Sequence, residues 1–198
     1  MDDPGPSPSI RAFVAIPIPT PLIDALEKTQ SLFQARLEKD AVRWSRAEQL
    51  HLTLGFLGDI RAGIVDELTD VIRRACESVT PFALSLAGRG CFPTAGNPRV
   101  IWVGVEGDLE ELRQFQRRTE AATADFGDHS EEKEFHPHLT IGRVKASPRQ
   151  ARQIRDVIEK VVVGKLGEWT VQEVDLMRSE LRTEGARYSR LASFALAR

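Results

Sequence analysis

A four-residue pattern occurs twice in this chain and limits what the chain can fold into. The pattern reads HLTL at residues 51–54 and HLTI at residues 138–141, 87 positions later. Polar and apolar residues alternate in each copy, as in a β-strand, so each histidine shares a face with the threonine two positions later. With 4 histidines and 11 threonines in 198 residues, about 0.22 His-x-Thr triplets are expected by chance. The repeat predicts two strands that each present an imidazole beside a hydroxyl; the alternative is two amphipathic strands with unrelated polar faces.

The composition is that of a chain with a hydrophobic core and no strong overall charge. Hydrophobic residues make up 41% of the 198 positions, which suits one larger domain or two small lobes. The 27 basic and 29 acidic residues nearly balance, which argues against binding of long duplex DNA, so any phosphate must be held locally. Cys76 and Cys91 lack paired metal-ligand spacing, so neither a zinc ribbon nor a disulfide framework is predicted.

Residues 1–9 are acidic and proline-rich, and we expect them to form a disordered leader before a single bilobal domain at residues 10–198. This leader lacks the basic and apolar regions of a targeting signal. No apolar run in the sequence approaches the length that a bilayer requires. We therefore expect a cytoplasmic monomer without membrane contact.

The spacing of apolar residues predicts an alternation of strands and helices. Strands are predicted at residues 11–17, 50–57, 82–86, 100–105, 135–144, 169–178 and 188–196, and helices at residues 20–37, 61–79, 108–126 and 148–163. Thr20 and Asp108 are the predicted N-caps of the first and third helices. Glycines and prolines at residues 88–99 predict a connector between two halves, and residues 127–134 a charged loop.

Each half therefore has the order strand, helix, motif strand, helix and strand, with one more strand at the end of the chain. This degenerate duplication predicts an α+β fold of two similar lobes, each an antiparallel sheet with outer helices. A pseudo-twofold relation would make the two motif strands face each other across a central cleft. Two imidazoles would then converge on one bound group, as acid–base catalysis by two histidines requires.

The two copies of the repeat, together with stretches outside them, resemble a known family. They are RAFVAIP from residue 11, RW at 43–44, HLTLGFLG from 51, RVIWVGV from 99, PHLTIGRV from 137, and the closing S-x-L, G-A-x-Y and L pattern from residue 179. Together they resemble the 2H phosphoesterase superfamily, most closely the RNA 2′,3′-cyclic phosphodiesterases, also called 2′-5′ RNA ligases. The resemblance implies a two-lobed α+β fold, metal-independent and cofactor-independent chemistry on cyclic phosphates at RNA ends, and the two His-x-Thr pairs as catalytic residues.

The residue types suit that chemistry. Opening a 2′,3′-cyclic phosphate requires a base that deprotonates water and an acid that protonates the departing ribose oxygen, and histidine can serve as either near neutral pH. Thr53 and Thr140 would donate hydrogen bonds to the non-bridging oxygens of the phosphate. The resembled family usually has the first-motif histidine as the acid, which makes His51 the acid and His138 the base. The residues themselves leave this assignment open.

Phe56 and Arg143 each lie five positions after a motif histidine. In the resembled family these positions hold an aromatic side chain that stacks on a base and an arginine that contacts phosphate. In a regular strand, an odd spacing would place both residues on the opposite face from the histidine, so the first strand must bend near Gly55 or Gly58. The alternatives are core packing for Phe56 and a surface ion pair for Arg143.

His136 and His138 also have the spacing of metal ligands on a strand, but the sequence offers no further Cys or His cluster, so we expect no metal site. His129 falls in the charged loop and is expected to be solvated. The predicted function is hydrolysis of the 2′,3′-cyclic phosphate ends of RNA or small nucleotides to 2′-phosphates, with possible reversible 2′-5′ ligation. The alternative is an RNA- or nucleotide-binding module of the same fold in which turnover is incidental.

Overall fold

The structure, a computed structural model, describes residues 8–127, 134–145, 148–183 and 185–197. Its strands are β1 (Ser9–Pro17), β2 (Val42–Trp44), β3 (His51–Arg61), β4 (Phe82–Thr94), β5 (Asn97–Gly107), β6 (His138–Val144), β7 (Gly167–Val171), β8 (Glu173–Arg182) and β9 (Gly185–Ala195). Its helices are α1 (Thr20–Gln34), α2 (Val65–Cys76), α3 (Leu109–Thr123) and α4 (Pro148–Lys160). Residues 1–7 of the predicted leader and His129 lie outside the described residues, whereas Ser9 begins β1.

The strands form two antiparallel sheets, which confirms the predicted α+β class. The first sheet has the order β3-β1-β8-β9, and the second has the order β2-β6-β5-β4-β7. Helices α2 and α3 pack on the first sheet, and α1 and α4 pack on the second. Leu26, Leu68, Leu112 and Ile154, one from each helix, are fully buried in a core that both sheets share.

The two sheets repeat the same arrangement around the motif strands. In the first sheet, motif strand β3 pairs with β1, which pairs with β8 and then β9; in the second, motif strand β6 pairs with β5, then β4, then β7. All of these pairs are antiparallel. Strand β2 is an addition, because it covers the outer edge of β6, whereas β3 is itself an edge strand.

The predicted connector at residues 88–99 is wrong, because these residues lie mostly in β4 and β5, which pair as one long hairpin. One of the glycines there, Gly90, serves packing. A Cβ on Gly90 would collide with the ring of Trp102 on the neighbouring strand, so glycine permits a close approach. The chain crosses between the sheets elsewhere: α2 leads from β3 into β4 of the second sheet, and β8 and β9 return to the first.

The strand predicted at residues 169–178 covers parts of both β7 and β8, and β2 was not predicted. Asp108 is the N-cap residue of α3, as predicted, whereas Pro19 and not Thr20 is the N-cap residue of α1. Pro19 precedes α1 without a side-chain cap, and the carboxylate of Asp108 accepts a hydrogen bond from Ala83 N–H of β4 instead of one from the first turn of α3.

The predicted helix at residues 61–79 is shorter, since a 3₁₀ turn at Ala62–Ile64 leads into α2. Acidic residues in the first turn of α2 and arginines in its last turn complement the helix dipole. Leu68 and Ile72 bury its apolar face. Among the described residues, no helix is both long enough and apolar enough to cross a membrane.

Candidate active site

A cavity of about 570 Å³ lies between the two sheets and is lined by both motifs. His51 and Thr53 reach it from β3, and His138 and Thr140 reach it from β6. Phe56 and Arg143 line the same cavity. The structure therefore brings together all six residues that the sequence predicts for the site. The other lining residues are Arg43, Trp44, Ser45, Arg46, Gln49, Phe92, Val100, Gly185, Ala186 and Tyr188.

A β-bulge in each motif strand places the fifth residue after the histidine in the cavity. Thr53 and Gly55 pair with consecutive residues of β1, so Leu54 is one extra residue in β3. Thr140 and Gly142 likewise pair with consecutive residues of β5, so Ile141 is extra in β6. Each extra residue is buried in the core. Because it shifts the alternation by one position, the fifth residue after the histidine faces the cavity, as the histidine does.

These bulges resolve the odd spacing of Phe56 and Arg143. Phe56 is 59% exposed, so the alternative of core packing is wrong, and its ring centroid lies 6.0 Å from that of Phe13. Arg143 is exposed in the cavity, and the described residues include no carboxylate paired with it. The predicted bend near Gly55 occurs as the bulge at Leu54.

His51 is packed between two aromatic rings. The centroid of Phe13 on β1 lies 4.8 Å from that of His51, and the ring of Tyr188 on β9 meets it edge-on at 5.2 Å. Burial lowers the pKa of His51 from 6.5 to about 4, against the opposing effect of a hydrogen bond to the backbone of Gln49. The positive charge of Arg143 and the nearby His138 lower this pKa further. His51 is therefore neutral at pH 7 in the free protein.

His138 has a closely similar environment. Phe92 on β4 meets its ring edge-on at 4.8 Å, and Trp102 on β5 lies 6.3 Å away. Burial lowers the pKa of His138 as well, with smaller contributions from the charges of His136 and Arg143. Its Nδ1 lies 2.6 Å from the carbonyl oxygen of His136. Because a carbonyl only accepts, Nδ1 carries the proton and Nε2 of the neutral ring is free to accept one.

A buried glutamine on α1 fixes the bulge of the second motif. Gln30 is 5% exposed, and its Nε2 donates to the carbonyl oxygens of Ser45 and Ile141 at 2.7 and 2.8 Å. The hydroxyl of Ser45 donates to the carbonyl of Thr140 at 2.8 Å. The Ile141 carbonyl also accepts from Ser45 N–H at 3.0 Å, so these bonds extend the pairing of β2 with β6 beyond Trp44. Gln30 therefore helps to hold Thr140 and Arg143 on the cavity side of β6.

Several lining residues carry no predicted role. Arg43 belongs to the RW pair at residues 43–44, but only the register of β2 against β6 shows that it lies directly opposite Arg143. Phe92 falls within the wrongly predicted connector. The contacts of Gln30 span 111 residues of sequence to Ile141, and no local pattern could have indicated them.

His136 does not line the cavity. It is exposed, and its Nε2 lies 3.7 Å from a carboxylate oxygen of Glu134. Within the described ranges, no group of three or more His, Cys, Asp or Glu side chains is arranged to hold a metal ion.

The cavity can thus carry out proton transfer on a bound anion. Two imidazoles from opposite sheets lie close enough for the charge of one to lower the pKa of the other. Each has a threonine on the same strand face, and arginines on the second sheet provide positive charge. This set fits a phosphate that is attacked on one side and leaves a protonated oxygen on the other.

The chain is similar to characterised proteins over nearly its whole length. The family model described as the 2′-5′ RNA ligase superfamily matches residues 19–183. An RNA 2′,3′-cyclic phosphodiesterase from Methanothermobacter thermautotrophicus is 34% identical over 94% of this chain and 99% of that protein. The crystal structure of a Thermus thermophilus protein superposes with a TM-score of 0.79 at 28% identity, covering 94% of this chain and 98% of that one.

The structure of Escherichia coli LigT complexed with 3′-AMP is also similar, with a TM-score of 0.74 at 26% identity over 96% of this chain and 100% of that one. These matches confirm the resemblance found in the sequence. The chain belongs to the 2′-5′ RNA ligase superfamily.

Proposed function

We propose that this protein is an RNA 2′,3′-cyclic phosphodiesterase, which hydrolyses the 2′,3′-cyclic phosphate ends of RNA or small nucleotides to 2′-phosphates. The convergence of two His-x-Thr pairs on one cavity carries this proposal. The relative from M. thermautotrophicus bears the name of this activity and aligns over nearly its full length. A binding module would have no need for two imidazoles with matched environments.

In the proposed mechanism His138 is the base and His51 is the acid. Nε2 of His138 takes a proton from water, the water oxygen forms a bond to phosphorus, and the bond from phosphorus to O3′ breaks. His51 gives a proton to O3′, and the product is a 2′-phosphate with a free 3′ hydroxyl. The hydrogen bond from Nδ1 of His138 to the His136 carbonyl leaves Nε2 as the acceptor, as a base requires. His51 has a comparable backbone contact with Gln49, so the choice of His138 as the base and His51 as the acid follows the resembled family.

The acid role of His51 requires that substrate binding raise its pKa. His51 is neutral in the free protein, with a pKa of about 4. A phosphate anion beside the ring favours the imidazolium and moves the pKa upward. Thr53 and Thr140 donate hydrogen bonds to the non-bridging oxygens, Arg143 contacts the phosphate, and Phe56 stacks on the terminal base.

The reaction needs no metal or cofactor, and the partners are RNA ends or small cyclic nucleotides rather than duplex DNA. A ribose 5′ hydroxyl in place of the attacking water would give a 2′-5′ linkage, so ligation uses the same groups. From the sequence we also predict that residues 10–198 form a single domain, and that the protein is monomeric and cytoplasmic.

The test is turnover of 2′,3′-cyclic AMP in the presence of EDTA, with products separated by chromatography against authentic 2′-AMP and 3′-AMP. We expect 2′-AMP, at a rate that chelation leaves unchanged. The pH–rate profile should be bell-shaped, because one histidine must be neutral and the other charged. Mainly 3′-AMP would mean that the bond to O2′ breaks and that the substrate lies the other way round in the cavity. No turnover, or turnover that EDTA abolishes, would contradict the proposal.

A further inference from the structure

The cavity wall formed by the second sheet carries more positive charge than a cyclic phosphate needs. Among the described lining residues are Arg43, Arg46 and Arg143, and none is a carboxylate. Arg46, which follows β2, has an ion pair with Glu48 at 3.9 Å, whereas Arg43 and Arg143 have no carboxylate partner among the described residues. A 2′,3′-cyclic phosphate carries a single negative charge. This excess of cations indicates that the cavity binds an additional anion.

Two of these arginines lie side by side. Arg43 on β2 is the register partner of Arg143 on β6, and both side chains are exposed. Like charges directly opposite each other in an antiparallel pair repel and cost stability. A bound anion that touches both side chains would remove this cost, so the pair is better explained by ligand binding than by sheet stability.

The two arginines lie at different distances from the histidines, with Arg143 nearer and Arg43 farther away. Arg143 lies near the reaction centre, since its charge lowers the pKa of both His51 and His138. Arg43 lies one strand further out, on the edge strand of the sheet. The order along the wall is therefore histidines, Arg143 and Arg43, so Arg43 is placed to contact a phosphate beyond the one that Arg143 contacts.

Arg43 also reaches across the mouth of the cavity. Its Cδ and Nη1 lie 3.8 Å from the position that a Cβ on Gly185 would occupy, at the start of β9 in the first sheet. Gln49 Nε2 donates to the carbonyl of Ala186 and fixes this end of the hairpin against the motif. The guanidinium group of Arg43 thus lies at the cavity mouth, where a bound RNA strand would pass out of the cavity.

We propose that Arg43 binds a second phosphate, the phosphodiester on the 5′ side of the terminal nucleoside, and thereby selects RNA ends over cyclic mononucleosides. This inference rests on the proposed function. A guanidinium group suits the task because it is always charged and can contact two phosphate oxygens at once.

The test measures binding of product-like nucleotides, which does not depend on turnover. Calorimetry would compare adenosine 2′-phosphate, adenosine 2′,5′-bisphosphate, and the dinucleotide ApA with a terminal 2′-phosphate. We expect the dinucleotide to bind wild-type protein about tenfold more tightly than adenosine 2′-phosphate, as one charge-assisted contact predicts. Arg43→Met should remove most of this gain, and Arg43→Lys should retain part of it.

Arg61→Met is the matched control, because Arg61 is an exposed arginine on β3 that does not line the cavity, and it should keep the gain. Loss of one phosphate contact should also make the affinity for the dinucleotide less sensitive to added salt than it is in wild type. The proposal would be overturned if wild type bound the dinucleotide no more tightly than adenosine 2′-phosphate, or if Arg43→Met kept this gain in affinity. It would also be overturned if only the bisphosphate showed the gain. Failure to hydrolyse 2′,3′-cyclic AMP with the Arg43-dependent gain intact would overturn the proposed reaction alone.

Discussion

The two motif strands share the His-x-Thr pattern and differ in how they are supported. Strand β3 is the edge of the first sheet, and space surrounds its bulge: a Cβ on Gly55 would approach only Glu120 Cγ, at 4.0 Å. Strand β6 lies inside the second sheet, where a Cβ on Gly142 would collide with Val42 Cγ1 at 2.6 Å. The second motif is therefore held on both sides, by β2 and by β5.

The strands also differ in what they present to a ligand. The residue five positions after the histidine is the aromatic Phe56 on β3 and the cationic Arg143 on β6. The cavity thus has a stacking wall and a charged wall around a nearly symmetric pair of histidines. Under the proposed function, this difference would let a duplicated fold bind an asymmetric substrate in one orientation while both copies keep the same His-x-Thr pair.

The largest loss of activity should come from replacing the histidine that each motif strand carries. We expect His51→Ala and His138→Ala each to lower kcat by about 10²–10⁴-fold, because each removes a general acid or base. Steady-state rates with 2′,3′-cyclic AMP measure this, and circular dichroism controls for folding. A single variant that keeps more than about a tenth of wild-type activity would show that the two histidines do not act as a pair.

Replacement of Phe56 and of Arg143 should have different kinetic effects, because one belongs to the stacking wall and the other to the charged wall. We expect Arg143→Met to lower kcat/KM by about tenfold or more for every cyclic nucleotide, because the phosphate is common to all of them. Phe56→Leu should raise KM by about tenfold, and more for purines than for pyrimidines, since base stacking is lost. Equal effects of the two variants on all substrates would contradict the division into a stacking wall and a charged wall.

The sequence predicts much of this comparison, because the motif residues alternate locally and both copies are intact. Strand alternation alone places His51 beside Thr53 and His138 beside Thr140. The exchange of strands between sheets is not predictable in the same way. Residues 88–99 carry turn-forming glycines and prolines, and only the neighbouring Trp102 shows that Gly90 relieves a steric contact. Arg43 and Gln30 similarly acquire their roles from partners about a hundred residues away.

The tight packing of β6 can be tested with a matched pair of glycine substitutions. We expect Gly142→Ala to destabilise the protein by about 1–3 kcal/mol, because the added methyl group must displace β2. Catalytic efficiency should fall several-fold as Arg143 shifts. Gly55→Ala has room for its methyl group and should leave stability within about 0.5 kcal/mol of wild type. Urea unfolding of both variants measures the difference; equal destabilisation would show that the two bulges are packed alike.

The burial of His51 should make stability depend on pH. Its pKa is about 4 in the folded protein and 6.5 in an ordinary environment, so the unfolded chain binds more protons between these values. Stability should therefore fall as the pH is lowered from about 6.5 to about 4. His51→Gln removes the titrating group, and its Tm should fall less over this window than that of wild type. Parallel Tm curves for the two proteins would contradict a neutral, buried His51.

The smallest effect is expected at the position two residues before each motif histidine. Gln49 and His136 occupy these positions, and each provides a backbone hydrogen bond to the imidazole that follows. Because the backbone makes this contact in both strands, the exposed side chain of His136 is not needed for it, whereas that of Gln49 also donates to the Ala186 carbonyl. We therefore expect His136→Ala to keep activity within about twofold of wild type, with or without EDTA.

This variant also separates acid–base catalysis from a metal mechanism. A metal held by His136 and His138 would lower the pKa of a bound water, so its activity would rise with pH to a plateau and be lost on chelation. His136→Ala would then be inactive and regain turnover when zinc or manganese is added. Loss of activity without such rescue would instead mean that the exposed His136 side chain, beside Glu134, helps to hold the carbonyl that orients His138.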